Sequence, residues 1–112
     1  MIYKCAADFF KHAATIKTIS REEEKELGLK MKEGAEEAKE ALRTGYLPVL
    51  ASYLKRYTYE SSLELVYRGL VVLSDAVQSF DFQVDNPTFS RFLGFRIRNM
   101  VTRFIADKPA GH

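Results

Sequence analysis

At 112 residues, 46% hydrophobic and 29% charged, the chain is long enough to fold as one domain around one core without disulfides or metals. No apolar run approaches the roughly 18 to 20 residues of a membrane span. The opening Met1-Ile2-Tyr3-Lys4-Cys5 lacks the basic and apolar regions of a secretory signal, so a cytoplasmic protein is expected. The net charge of +2 hides an uneven distribution: 0 over residues 1–45, −2 over 46–86 and +4 over 87–112. The basic C-terminal segment says more about partners than the total does.

In chain order, Ile2, Cys5, Phe9, Ala13 and Ile16 keep helical spacing, which predicts a first helix within residues 1–17. That spacing makes Cys5 a small core residue, with a reactive thiol as the alternative. His12 and His112 have no companions at ligand spacing, so no metal site is expected. Ser20 followed by Glu23 is a capping box that opens a helix from Arg21 to about Lys32, ended by Gly34. The acidic pairs in Glu22–Glu26 and Glu36–Glu40 stand beside lysines and read as solvated faces. A charged helix from Ala35 to about Thr44 leads past Gly45 into a segment 46–57 with Tyr46, Leu50, Tyr53, Leu54 and Tyr57 on one face. Pro48 fits in its first turn. The two count as one bent element.

Leu63, Val66, Leu70, Leu73, Val77 and Phe80 step by three and four, the clearest buried stripe in the chain. A loop from Asp81 to Asp85 follows. Asn86-Pro87 reads as an N-cap and first helical residue of a last helix to about Ala106, ended by Lys108-Pro109-Ala110-Gly111. No strand pattern competes. The expected fold is an all-α bundle of about five helices.

On a helical wheel at about 100° per residue, Phe89, Leu93, Ile97, Met100, Val101 and Phe104 form the core stripe of the last helix. Phe92 and Phe95 then sit among arginines on the polar face. Aromatic rings flanked by cations suit single-stranded nucleic acid, whose bases stack on the rings while its phosphates meet the cations. The alternative is that a neighbouring helix or a partner chain covers the two rings.

Five stretches together resemble region 2 of the bacterial sigma-70 family with the end of region 1 ahead of it. They are Thr18-Ile-Ser-Arg-Glu-Glu-Glu-Lys-Glu-Leu27, Glu33-Gly-Ala-Glu-Glu-Ala-Lys39, Tyr46-Leu-Pro-Val-Leu-Ala-Ser-Tyr-Leu-Lys-Arg-Tyr57, the stretch from Ser62 to Asp81, and Phe89-Ser-Arg-Phe-Leu-Gly-Phe-Arg-Ile-Arg98. The resemblance covers residues 18–107, within a single domain 1–112. It implies a protein that binds core RNA polymerase and opens the promoter −10 element by capturing the non-template strand.

Carried over by position, Phe92 replaces the tyrosine on which an extruded base stacks, and Phe95 the first tryptophan of the wedge at the bubble's edge. Asn99 and Thr102 match positions implicated in reading the last duplex pair. Arg98, Arg103, Lys55 and Arg56 are phosphate candidates. Three departures stand out: Arg96 replaces the second tryptophan, the loop before Phe89 is one residue longer, and Glu64, Tyr67 and Arg68 stand where the clamp-docking helix usually shows Asp, Gln and Glu. Arg96 is kept among the DNA-facing residues, and Glu64, Tyr67 and Arg68 are the polymerase-facing set.

No segment resembles the later helix-turn-helix that reads the −35 element. The resemblance therefore implies a fragment, a second chain that supplies that reading, or a protein that does not start transcription alone. The alternative function is an interaction module that binds polymerase or an anti-sigma protein without melting DNA. No nucleophile–base motif, zinc spacing or phosphate-binding loop is present, so neither catalysis nor a cofactor is expected.

Overall fold

The structure is a computed structural model that describes residues 3–60 and 63–106. Ile2 and the Lys108-Pro109-Ala110-Gly111 terminator lie outside the described residues. The described chain is all-helical: α1 (Ala6–Ala14), α2 (Arg21–Lys32), α3 (Glu36–Gly45), α4 (Leu47–Leu54), a 3-10 turn (Lys55–Glu60), α5 (Leu63–Ser79) and α6 (Phe89–Ala106). The all-α bundle expected from the sequence is the fold observed. The bent element expected at 35–57 is resolved into α3 and α4, which meet at Tyr46, with Pro48 in the first turn of α4.

Leu42, Leu47, Leu50, Leu54, Leu65, Val66, Leu73 and Val77 form one connected core with Phe9, Leu93 and Ile97, while Leu63 and Leu70 of the expected α5 stripe are half-buried at its margin. The long helices α5 and α6 pack against each other, and α4 lies across both. α1 caps α4 and α5 through Phe9 and Ala13.

α2 opens as the capping box requires: Ser20 Oγ accepts from the Glu23 amide at 3.1 Å and Glu23 Oε1 accepts from the Ser20 amide at 3.2 Å. It ends where Gly34 takes φ +94°, a left-handed conformation that favours glycine. Only Leu27 and Met31 of α2 lean on the core.

The rest of α2's attachment is polar and corrects the sequence reading, because Glu24 is not solvated. Its side chain is 7% exposed. Oε2 accepts from the Tyr46 hydroxyl at 2.7 Å and Oε1 accepts from Arg21 at 3.0 Å. Burial and the neighbouring carboxylate push the Tyr46 phenol well above its ordinary pKa. A buried carboxylate is tolerated here because both oxygens are engaged, one of them by a cation.

Arg21 also reaches the 81–85 loop. It donates to the carbonyls of Phe82 and Val84 and to Asp85 at 2.9 Å, while Lys25 pairs with Asp85 at 3.0 Å. Gln83 donates to the Lys25 carbonyl at 2.9 Å, and Lys32 pairs with Asp81 at 3.3 Å. α2 thus clasps the loop that precedes α6. Under that clasp Phe82 is fully buried and lies 4.9 Å, ring to ring, from Phe89.

Two local expectations are overturned. Cys5 is exposed, with extended backbone just before α1, because the helix begins at Ala6 and leaves Cys5 as its N-cap. Tyr3 is the residue that enters the core there. Pro87 is not the first residue of α6, and Asn86 is not its cap. The helix starts at Phe89, and the Thr88 hydroxyl accepts from the Arg91 amide at 3.3 Å.

Candidate nucleic-acid interface

α6 buries Phe89, Leu93, Ile97, Val101 and Phe104 and half-buries Met100, as its wheel requires. The opposite face contains no acidic residue between Phe89 and Ala106. Arg91, Arg96, Arg98 and Arg103 form no ion pair with any described residue. By contrast, Arg21, Lys25, Lys30, Lys32, Arg43 and Arg68 each hold a carboxylate within 3.3 Å. α6 thus carries four arginines with no ion pair among the described residues, and Lys55 and Arg56 at the end of α4 have none there either.

Phe95 projects from this face with 58% of its surface exposed. It lines a groove of about 230 Å³ with Tyr53, Arg56, Tyr57, Arg91, Gly94 and Arg98. The groove forms because α6 closes tightly on the end of α4 at Gly94. A Cβ there would stand 2.7 Å from the Tyr53 hydroxyl, which donates to the Ser90 carbonyl at 3.0 Å. The Arg56 guanidinium lies 5.3 Å from the Tyr53 ring centre. The groove therefore offers aromatic surface and three guanidinium groups to one ligand.

Phe92 is placed differently. Its ring is half-buried, 5.1 Å from Phe80 and 6.2 Å from Phe89, and the Arg96 guanidinium lies 5.6 Å from its centre. Asn99, Thr102 and Arg103 are exposed further along α6. The Thr102 hydroxyl turns back to the Arg98 carbonyl at 2.9 Å.

Lys55 does not join this group. It lines a separate groove with Phe10, Ala13 and Pro48, with its ammonium 5.7 Å from the Phe10 ring. Glu64 and Arg68 pair at 3.2 Å on the exposed side of α5. Tyr67, half-buried, is engaged by the N-terminal segment: its hydroxyl accepts from the Tyr3 amide at 2.8 Å and donates to the Tyr3 carbonyl at 3.3 Å. Arg68 and Tyr67 thus face different surroundings, Arg68 toward α6 and Tyr67 toward Tyr3.

The sequence is similar to part of a sigma factor. Over 102 residues, 89% of this chain, it is 32% identical to RNA polymerase sigma factor SigA of Clostridium acetobutylicum. The chain spans about a quarter of that relative, 27% of its length. No family model matches the chain, and no solved structure matches it.

Tyr53, Tyr57, Arg91 and Gly94 were not singled out as site residues from the sequence, although the groove needs them. The signal was available. Arg91, Gly94, Phe95 and Arg98 recur at helical spacing on α6, as Tyr53, Arg56 and Tyr57 do around the end of α4. That the two sets meet depends on how α4 crosses α6. Among the described residues no group of three or more His, Cys, Asp or Glu could hold a metal ion, and no helix is long and apolar enough to cross a membrane.

Proposed function

We propose that the chain is a sigma region 2-like transcription initiation module, with residues 18–107 forming that unit. It binds core RNA polymerase through the Glu64, Tyr67 and Arg68 side of α5 and captures the non-template strand of the promoter −10 element on α6. A separate chain, or a further part of the same protein, supplies the −35 reading. The mechanism is strand capture without bond chemistry. Bases stack on Phe95, while Arg56, Arg91 and Arg98 hold the flanking phosphates. Asn99 and Thr102 face the last duplex pair.

The observation that carries this reading is the exposed Phe95 ring set among arginines that have no ion-pair partner among the described residues. An exposed phenylalanine costs solubility with no return to the core, whereas a base stacked on it recovers about 1–3 kcal/mol. The similarity to a sigma factor supports the same class.

The test is binding of a −10-like single-stranded oligonucleotide, read by fluorescence anisotropy with core polymerase present. Phe95→Ala is expected to weaken it about 5- to 150-fold, the equivalent of one lost stack, without changing stability. Absence of any salt-sensitive binding in the presence of core polymerase would refute the reading.

A second reading, an interaction module that binds polymerase or an anti-sigma protein without melting DNA, is favoured by Phe92. Arg96 lies over its ring, so an extruded base reaches that ring only if Arg96 swings away. Under this reading Phe95→Ala leaves DNA binding unaffected and weakens a protein complex.

A further inference from the structure

A second cleft, of about 500 Å³, runs between α5 and α6 and is lined by Arg68, Arg96, Asn99, Met100 and Arg103. Three guanidinium groups from two helices converge on it. Arg96, Asn99 and Arg103 step by three and four along α6 and so share one side of that helix. Arg68 enters from α5 with its guanidinium 5.2 Å from the Phe104 ring centre, which holds it toward α6. Among the described residues the one ion pair of these three arginines is an exposed bridge from Arg68 to Glu64, which stands one turn away on α5. Among the described residues, three cations therefore stand against one anion, and no acidic residue lies between Phe89 and Ala106 to offset the difference.

We propose that this cleft binds a phosphodiester group of a nucleic-acid backbone, and that Arg68 is one of the residues that hold it. The planar, forked guanidinium matches phosphate oxygens, and Asn99 adds an amide donor between the two α6 arginines. The choice of a nucleic-acid backbone over an acidic peptide comes from symmetry about Phe95. Arg91 and Arg98 lie on one side of that ring, and Arg96 and Arg103 lie about 140° round the helix on the other. Two cationic tracks flanking one exposed aromatic ring suit two strands that separate there. The inference deepens the proposed function and moves Arg68 from the polymerase-facing set to the DNA-facing one.

The test compares the intact protein with Arg68→Ala, Arg68→Lys and Glu64→Gln. The probes are a duplex oligonucleotide of arbitrary sequence and a −10-like single strand, each titrated across a range of salt. Arg68→Ala is expected to weaken binding to the duplex several-fold at low salt, whatever its sequence. It should also flatten the plot of log affinity against log salt by about 0.9, as expected when one phosphate fewer is neutralised. Arg68→Lys should restore part of the affinity. Glu64→Gln, which removes the competing carboxylate, should strengthen binding, so that a general loss of folding cannot imitate the pattern.

An unchanged slope in Arg68→Ala, while Phe95-dependent binding of the −10-like strand persists, would overturn the cleft and leave the proposed function standing. The reverse result, a slope change with no preference for the −10-like strand, would sink the proposed function and keep the cleft. Inorganic phosphate that competes as well as oligonucleotide phosphate, at equal phosphate concentration, would overturn the backbone as the source of the ligand. Failure to bind either probe, with core polymerase present as well as without it, would overturn both.

Discussion

Replacing Gly28 by alanine sets helix propensity against packing, and the two predict opposite signs. Gly28 lies in the middle of α2, where alanine is better than glycine by about 1 kcal/mol. A Cβ at this position would stand 2.6 Å from Phe82 Cβ and 3.3 Å from both Phe82 Cγ and Gln83 Nε2. Carbon atoms pack best at about 3.5–4.0 Å, so the seam between α2 and the 81–85 loop must open by about 1 Å. Phe82 Cβ is fixed to the backbone and no rotamer relieves the overlap.

Overpacking of this kind costs about 1–3 kcal/mol. It also pulls on the bonds from Arg21, Lys25 and Gln83 that span the same seam. The net expectation is a loss of about 1 kcal/mol, the middle of that range less the propensity gain. Urea unfolding followed by circular dichroism should show the midpoint falling by roughly 0.5 M, for a slope of about 2 kcal/mol/M. Because Phe82 packs on Phe89 at the start of α6, single-strand binding should weaken in the same variant. A midpoint that rises, as propensity alone predicts, would refute the account of how α2 seats the loop.

Three further outcomes follow from the same seam. Glu24→Ala leaves the buried Tyr46 hydroxyl without its acceptor and should cost about 1–3 kcal/mol. Tyr46→Phe made in that background should cost far less than in the wild type, and strict additivity in this double-mutant cycle would refute the pairing. The Arg21 guanidinium, then the Lys25 ammonium, hold the Asp85 carboxyl below its usual range; the Gln83 amide, then Lys32, do the same for Asp81. Their stabilising effect is therefore present above the ordinary carboxylate pKa and disappears as pH falls through the depressed folded values. Asp85→Asn should narrow the difference in unfolding midpoint between pH 5 and pH 2.5, and an unaltered difference would count against the clasp.

The periodicity of apolar residues was sufficient to determine the all-α class, the course of α5 and the buried stripe of α6. Each depends on contacts within one helix or on which face is apolar, and those are written in local spacing. The Ser20–Glu23 box and Gly34 were legible for the same reason, since capping involves residues three or four apart. Phe95 and its arginines were also visible on a wheel, because α6 is amphipathic by itself.

What the sequence could not supply was anything set by residues far apart in the chain. Glu24 reads as one more solvated acid in Arg21-Glu-Glu-Glu-Lys25 until the fold brings Tyr46 against it. Phe82 reads as loop until Gly28 makes room for it. Phe92 and Phe95 look equivalent on the wheel, yet Phe80, from α5's end, half-buries the first and leaves the second free. Arg68 and Lys55 were assigned through the resemblance, to the polymerase-facing and DNA-facing sets respectively. What surrounds each is set by tertiary structure: Arg68 lines a cleft with Arg96 and Arg103, and Lys55 lies against Phe10 of α1. Helical spacing decides which face a side chain leaves from, and only the crossing of the helices decides what it meets.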